Sequence, residues 1–217
     1  SATTAVANVN DAGSGLSLAS DGDVADPDED DTLSVTGTLS DEDGCTGGCS
    51  LTYAWSNGAT SSTITLGQSD VGSTISVTLT YTDDQTESNS ITLTAASDVD
   101  NVNDSPTGSV TISGTPTEDQ TLTASNDLAD EDGMGTVTYA WSNGATGASI
   151  VLGQSDVGNA ITVTASYDDA QGTTESVASS ATTAVANVND APTGSVTITG
   201  TAQEDETLTA SNDLADE

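Results

Sequence analysis

The chain contains no lysine, arginine or histidine, against 35 aspartates and glutamates in 217 residues, so its formal charge at neutral pH is −35. Without cationic side chains it offers no patch that nucleic acid or an anionic membrane surface would recognise, which excludes both as partners. Phenylalanine is also absent; Trp55, Trp141 and four tyrosines bring the aromatic content to only 3%. Any core is therefore lean and built from Val, Ile, Leu and Ala. No apolar run approaches the ~18 residues of a membrane-spanning helix, so direct membrane insertion is not expected. No charged leader of a signal peptide is visible, which means little in a sequence that opens partway through a repeat.

Missing cations create a folding problem. Two carboxylates about 4 Å apart near a protein surface repel by roughly 4 kcal/mol, and no basic side chain is present to relieve them. Metal ions or concentrated salt must do so. Cysteine is scarce as well, with Cys45 and Cys49 enclosing Thr-Gly-Gly. That spacing permits a tight local disulfide suited to an oxidising exterior; two free thiols are the alternative. A Cys-only zinc site lacks its second pair of ligands.

Low hydrophobicity with high net charge ordinarily points to disorder. Self-similarity argues otherwise. TYAWSNGAT occurs at 52–60 and 138–146, LGQSDVG at 66–72 and 152–158, and TLTASNDLADE at 121–131 and 207–217, all offset by 86 residues. The tetrapeptide Asn-Val-Asn-Asp falls at 8–11, 101–104 and 187–190. The boundaries that follow are a trailing strand (1–11), a repeat with the cysteine insertion (12–100), a second repeat (101–186), and a linker with the first strands of a third (187–217).

Within the second repeat the apolar period is two. Val137, Tyr139 and Trp141 share one face, as do Ile161, Val163, Ala165 and Tyr167, and Gly, Asn, Asp and Pro punctuate the segments between. Strands are expected near 107–114, 121–128, 136–142, 148–152, 160–167 and 174–186, with one more short strand among the turns. The fold class is all-β: tandem immunoglobulin-like sandwiches of about seven strands each, with a core Trp on the third strand. Its place on that alternating strand favours a core role for the Trp over ligand stacking.

In such a sandwich the B–C and F–G loops lie at the leading end, where the chain comes in, and the A–B and E–F loops at the trailing end. Mapping the acids onto that frame gathers them. The leading-end set is Asp130, Glu131, Asp132, Asp168 and Asp169 in the second repeat, with Asp41, Asp43 and Asp83 in the first and Asp216 in the third. The trailing-end set is Glu29, Asp30 and Asp70, with Glu118, Asp119 and Asp156, then Glu204 and Asp205. The linkers add Asp100, Asn101, Asn103 and Asp104, with Asn8, Asn10, Asp11, Asn187, Asn189 and Asp190. All three sets are expected to meet at each junction between repeats. Oxygen-only ligands in that number suit Ca²⁺, which takes six to eight oxygens, better than Mg²⁺ or zinc. A uniformly solvated surface would instead scatter the acids along the chain.

DNVNDSP (100–106) and NVNDAP (187–192) resemble the Asp-x-Asn-Asp-x-x-Pro linker of cadherins, DED (130–132) is similar to their Asp-x-Asp element, and Glu118 or Glu204 resembles their early glutamate. The resemblance implies calcium bound between successive domains. The cadherin E–F motif is reduced here to Asp70 and Asp156, which weakens that part of the likeness. The whole 86-residue unit, with NVNDAPTGSVTITGTA and TLTASNDLADEDG, more closely resembles the immunoglobulin- or cadherin-like repeats of very large bacterial repeats-in-toxin (RTX) adhesins exported by type I secretion. That likeness implies an extracellular, cell-surface location and a calcium-rigidified extender, whose partners are calcium ions and neighbouring repeats of the same chain. Two other roles are weighed beside it: a subunit of a self-assembling filament, sheath or surface layer built from like chains, and a glycan- or protein-binding module. An enzyme is not expected, since the chain has no His or Lys and its paired carboxylates belong to a repeating linker. Asn103-Asp104-Ser105 is formally a glycosylation sequon, but Pro106 follows it and a linker role is favoured.

Overall fold

In the computed structural model, which describes residues 9–45 and 48–216, the chain divides into two compact units, Ser1–Asp104 and Ser105–Glu217. Asn8 lies outside the described residues. The fold is all-β and every sheet is antiparallel, with no α-helix among the described residues.

The first unit contains β1 (Ser14–Ser20), β2 (Thr32–Ser40), β3 (Thr52–Trp55), β4 (Thr63–Thr65), β5 (Thr74–Thr82) and β6 (Ser88–Asp98). They form two three-stranded sheets, β1-β2-β4 and β3-β5-β6. Alternation decides which faces pack. Along β5, Ile75, Val77, Leu79 and Tyr81 are buried while the residues between them are not. Ile75, Val77 and Leu79 share a core with Leu33 of β2 and Ile64 of β4, so one core joins both sheets. This is the layering of a sandwich.

The second unit repeats the plan with β7 (Val110–Ser113), β8 (Thr121–Asn126), β9 (Thr138–Trp141), β10 (Ser149–Val151), β11 (Val163–Asp168) and β12 (Thr174–Ala178), in sheets β7-β8-β10 and β9-β11-β12. Val110, Leu122 and Ile150 of one sheet pack with Trp141, Val163, Ala165 and Tyr167 of the other. Both tryptophans are core residues. Each also finds an acceptor for its indole N–H, Ser61 O for Trp55 and Gly147 O for Trp141, both at 2.8 Å, as a buried indole requires. A hairpin of β13 (Val196–Thr199) and β14 (Thr209–Asn212) completes the unit. Its Val196 and Ile198 are 65% and 70% exposed, whereas Val110, the counterpart of Val196, is 5% exposed and Ile112, the counterpart of Ile198, is half-buried.

Expectation and structure differ in two places. Among the described residues, six strands are seen in each of the two repeats instead of about seven. The stretch before β5, and that before β11, is a single 3-10 turn, Gln68–Asp70 and Gln154–Asp156. The last strand of the second repeat, expected over 174–186, breaks after Ala178. There the Val163 N–H donates to Ser179 Oγ and the Ile161 N–H to Thr182 Oγ1, both at 3.0 Å. Side-chain hydroxyls thus take the place of ladder carbonyls, and the strand ends there. The chain then returns for bridges at Ala184, Val185 and Ala186.

The Thr-Gly-Ser-Val step at 107–110 and 193–196 has a steric explanation. Gly108 and Gly194 have φ of 94° and 95°, and a Cβ there would fall 2.5 and 2.4 Å from the Asp127 and Asp213 carbonyl oxygens. Close approach lets Asp127 Oδ1 accept the Ser109 N–H at 2.7 Å and its hydroxyl at 3.0 Å, and Asp213 clasps Ser195 likewise. The backbone N–H, then the hydroxyl, hold both carboxyl groups below their ordinary value. These acids fasten a hairpin.

Cys45 and Cys49 are joined in a disulfide, which fits an oxidising compartment rather than a reducing one. Among the described residues, no helix is long and apolar enough to cross a membrane.

Leu122, fully buried at the centre of its sheet, is the sharpest test of the shared core. Leu122→Ala is expected to cost the second unit about 2–5 kcal/mol in denaturant unfolding. Val151→Ala, at a position 66% exposed, is expected to change stability by about 0.5 kcal/mol or less.

Candidate metal sites at the linkers and loop ends

At the trailing end of each repeat a glutamate sits beside a kinked aspartate. Asp30, Asp119 and Asp205 have φ of 68°, 62° and 67°, the left-handed region that aspartate tolerates better than most residues. The kink lets consecutive amides reach two different segments. Glu29 donates its N–H to Asp100 O at 2.8 Å and Asp30 to Leu66 O at 3.1 Å; Glu118 donates to Ala186 O at 2.9 Å and Asp119 to Leu152 O at 3.0 Å. In return Asp100 donates to Pro27 O and Ala186 to Pro116 O, both at 2.9 Å. The start of each linker is thereby stitched to the turn that carries the glutamate.

Both glutamates are buried, at 4% and 3% exposure. Glu118 Oε2 accepts the Val188 N–H of the linker at 2.9 Å. In the first unit, carboxylate oxygens of Glu29 and Asp104 lie within 4.8 Å of each other. One Ca²⁺ holds its oxygen ligands at 2.3–2.6 Å, so it can bind a pair at that separation. Left alone, two such charges repel by roughly 3.5 kcal/mol at an effective dielectric constant of 20. The second linker carries the equivalent Asp190, which lines an open cavity with Ala191, Thr193, Ala215 and Asp216.

At the leading end of the first unit, Asp43 Oδ2 accepts the Asp11 N–H at 2.9 Å, and Asp41 Oδ1 accepts the Asp43 N–H at 2.9 Å. Tyr81 donates its hydroxyl to Asp41 Oδ2 at 2.5 Å and accepts the Gly13 N–H at 2.7 Å. In the second unit Tyr167 donates to Asp130 Oδ2 at 2.6 Å, and Asp130 Oδ1 accepts the Asp132 N–H at 3.1 Å. Burial first, then the carboxylate beside each hydroxyl, raises both tyrosines above their ordinary pKa. The tyrosines therefore stay protonated donors. Asp132 is 1% exposed, and its carbonyl accepts the Ala170 N–H at 3.1 Å, which ties its loop to the following turn.

That turn is built on Asp83 in the first unit and Asp169 in the second. Asp83 Oδ1 accepts the Gln85 and Glu87 amides at 2.8 and 2.9 Å, and Asp169 Oδ1 those of Gln171 and Thr173 at 2.9 and 2.8 Å. Asp169 Oδ2 is buried with no hydrogen-bond partner. An orphaned carboxylate oxygen is the feature a bound cation would satisfy. The donor chemistry agrees, for with no histidine and both cysteines in a disulfide only oxygen ligands remain, the kind that calcium takes.

Other sequence candidates take local roles. Asp70 accepts the Gly67 N–H at 3.2 Å and the Asn57 amide at 3.3 Å; Asp156 accepts those of Gly153 at 3.0 Å and Asn143 at 3.1 Å. Both close the 3-10 turn. Asp168 points outward and accepts the Thr174 hydroxyl at 2.7 Å, while Glu131, Glu204, Asp205 and Asp216 are exposed. Asp100 takes part through its backbone, which is why Ala186 serves at the equivalent position. Asn103 and Asn189 each donate their amide to the carbonyl of the next residue, Asp104 and Asp190, at 3.2 and 3.0 Å. Asn101 is half-buried and Asn187 exposed. Asn10 reaches Asn89 instead of an acid, at 2.8 Å.

Sequence reasoning missed Asn89, its counterpart Glu175, and the two tyrosine hydroxyls. Each lies on a strand next to an acidic turn, and strand register was the signal that could have placed them.

Removing the Glu118 carboxylate is expected to release the linker. Glu118→Ala should speed hydrogen exchange at the Val188 amide by about 10- to 100-fold in calcium-free buffer, the equivalent of a lost charge-assisted hydrogen bond. Glu118→Gln, which keeps an acceptor, should change it far less. No family model and no curated protein matches the chain, so function has to be argued from this oxygen-only chemistry.

Proposed function

We propose that the chain is a structural segment of an extracellular surface protein, a run of immunoglobulin-like repeats in which calcium stiffens each linker. The observation that carries this reading is the pair of buried trailing-end glutamates, Glu29 and Glu118, each stitched by backbone hydrogen bonds to a linker rich in Asp and Asn, in a chain with no basic side chain at all. Glu29 with Asp104 of the first linker, and Glu118 with Asp190 of the second, are the residues assigned to hold the ion, with the loop-end acids Asp41, Asp43, Asp130, Asp132 and Asp169 at the leading ends.

The roles divide by chemistry. Bound calcium supplies positive charge against carboxylates that otherwise repel. The chain's own groups do the positioning: the left-handed Asp30 and Asp119 fix the glutamates, the Tyr81 and Tyr167 hydroxyls orient Asp41 and Asp130, and turn amides hold one oxygen of Asp83 and Asp169. Extracellular calcium modules bind at around 10⁻⁴–10⁻³ M. Such a chain would be loose at the low free calcium of a cytoplasm and stiff once outside. The likeness to repeats of type I secreted adhesins supports placing it in the stalk of a surface adhesin. The near-identity of the copies at TYAWSNGAT and LGQSDVG supports a spacer over a binding module, whose loops would differ between copies.

Small-angle scattering of the whole chain tests the proposal. Millimolar calcium is expected to give a defined maximum dimension and a folded Kratky profile, and excess chelator a broader distance distribution with a raised high-angle plateau. Identical profiles under both conditions would sink it.

A further inference from the structure

The two repeats differ at one position that decides how a buried carboxylate is satisfied. On β6, Asn89 pairs with Tyr81 across the strands; on β12, Glu175 pairs with Tyr167 in the same register. In the first unit the Asn89 amide donates to Asp83 Oδ2 at 2.9 Å, so both oxygens of Asp83 are used. The amide thus closes the Asp83 centre from within the protein. At position 175 a carboxylate stands in place of that amide, and an ionised carboxylate has no N–H to donate. The consequence is visible next to it: Asp169 is 7% exposed, and its Oδ2, the atom equivalent to the one Asn89 serves, has no partner.

We infer that the Asp169 centre of the second unit takes a hard divalent cation between Asp169 Oδ2 and the Glu175 carboxylate, whereas the Asp83 centre of the first is closed by the Asn89 amide and takes none. The inference rests on the reading that these acids bind calcium, and it adds Glu175 as a ligand and residue 89/175 as the selector. Like charges placed together in a buried turn are destabilising without a counter-ion, and no side chain of this protein can supply one. An amide is a neutral substitute for the ion. It satisfies the same oxygen at every calcium concentration, so the first turn is permanently set and the second is set by calcium. The Asp132 carbonyl accepts Ala170 in that same turn, so ion binding at Asp169 also fixes the loop that carries Asp130 and Asp132.

Calcium chloride titrated calorimetrically into the full chain tests this with two reciprocal substitutions. Glu175→Asn is expected to bind one ion fewer than the wild type, and Asn89→Glu one more. Calcium-free thermal unfolding gives a readout independent of ion binding. There Glu175→Asn, which restores the amide to the orphaned oxygen, should raise the midpoint of the second unit by roughly 4–8 °C. Unchanged stoichiometry in Glu175→Asn, or a calcium-free midpoint that does not rise, overturns the inference and leaves the linker reading standing. A wild-type chain that binds no calcium overturns both.

Discussion

The constraint on which the rest of this structure depends is electrostatic: 35 carboxylates must be accommodated without one basic side chain. Ordinary proteins answer buried acids with Arg or Lys. Here the answers come from elsewhere. Backbone amides serve Asp83, Asp169, Asp127 and Glu118, tyrosine hydroxyls serve Asp41 and Asp130, and asparagine amides serve Asp70 and Asp156. Each substitute is a dipole. Dipoles satisfy hydrogen-bonding capacity but leave net charge untouched, so they settle single carboxylates and not clusters of them.

The fold exploits this division. Acids that fasten a local turn or hairpin have their donors within a few residues or across one strand pair. Acids at the repeat ends are brought close to one another, as Glu29 and Asp104 are, or are left with an unanswered oxygen, as Asp169 is. The lean core can support such an arrangement because the sandwich layering is simple. Short strands with strict alternation bury Leu33, Leu79, Leu122 and Val163 completely, and residues just outside the strands, such as Leu66, Leu152 and Val185, complete the cores.

Much of this was legible in the sequence. Period-two alternation located β8, β9, β10 and β11 closely, and the same alternation put Trp55 and Trp141 inside. It also separates Asp168 from Asp169, adjacent residues that the pleat sends to solvent and to the interior. The seventh strand was expected among the turns without a fixed position and does not form among the described residues, whereas the tight turn expected at Asp-Val-Gly belongs to the 3-10 turns before β5 and β11. The broken strand after Ala178 was hidden because Ser179 and Thr182 look like ordinary strand residues until their hydroxyls capture main-chain amides. Among the candidate ligands, composition could gather acids at loop ends but could not say which ones local donors already satisfied. Asp70 and Asp156 illustrate that limit. Nor could it show that Asn89 and Glu175 stand in the same register beside a buried aspartate, which is a property of pairing across strands.

The central claim is that specific ion binding, and not general screening, relieves the clustered acids. Calorimetric unfolding of the full chain in calcium chloride and in sodium chloride of equal ionic strength tests it most directly. Screening depends on ionic strength alone to first order, whereas a bound ion stabilises by mass action, about 2.7 kcal/mol per site at a hundredfold excess over its dissociation constant. The account predicts that a few millimolar calcium raises the midpoint well beyond the matched sodium control, with a midpoint that keeps climbing with the logarithm of calcium concentration. Equal midpoints in the two salts would contradict it.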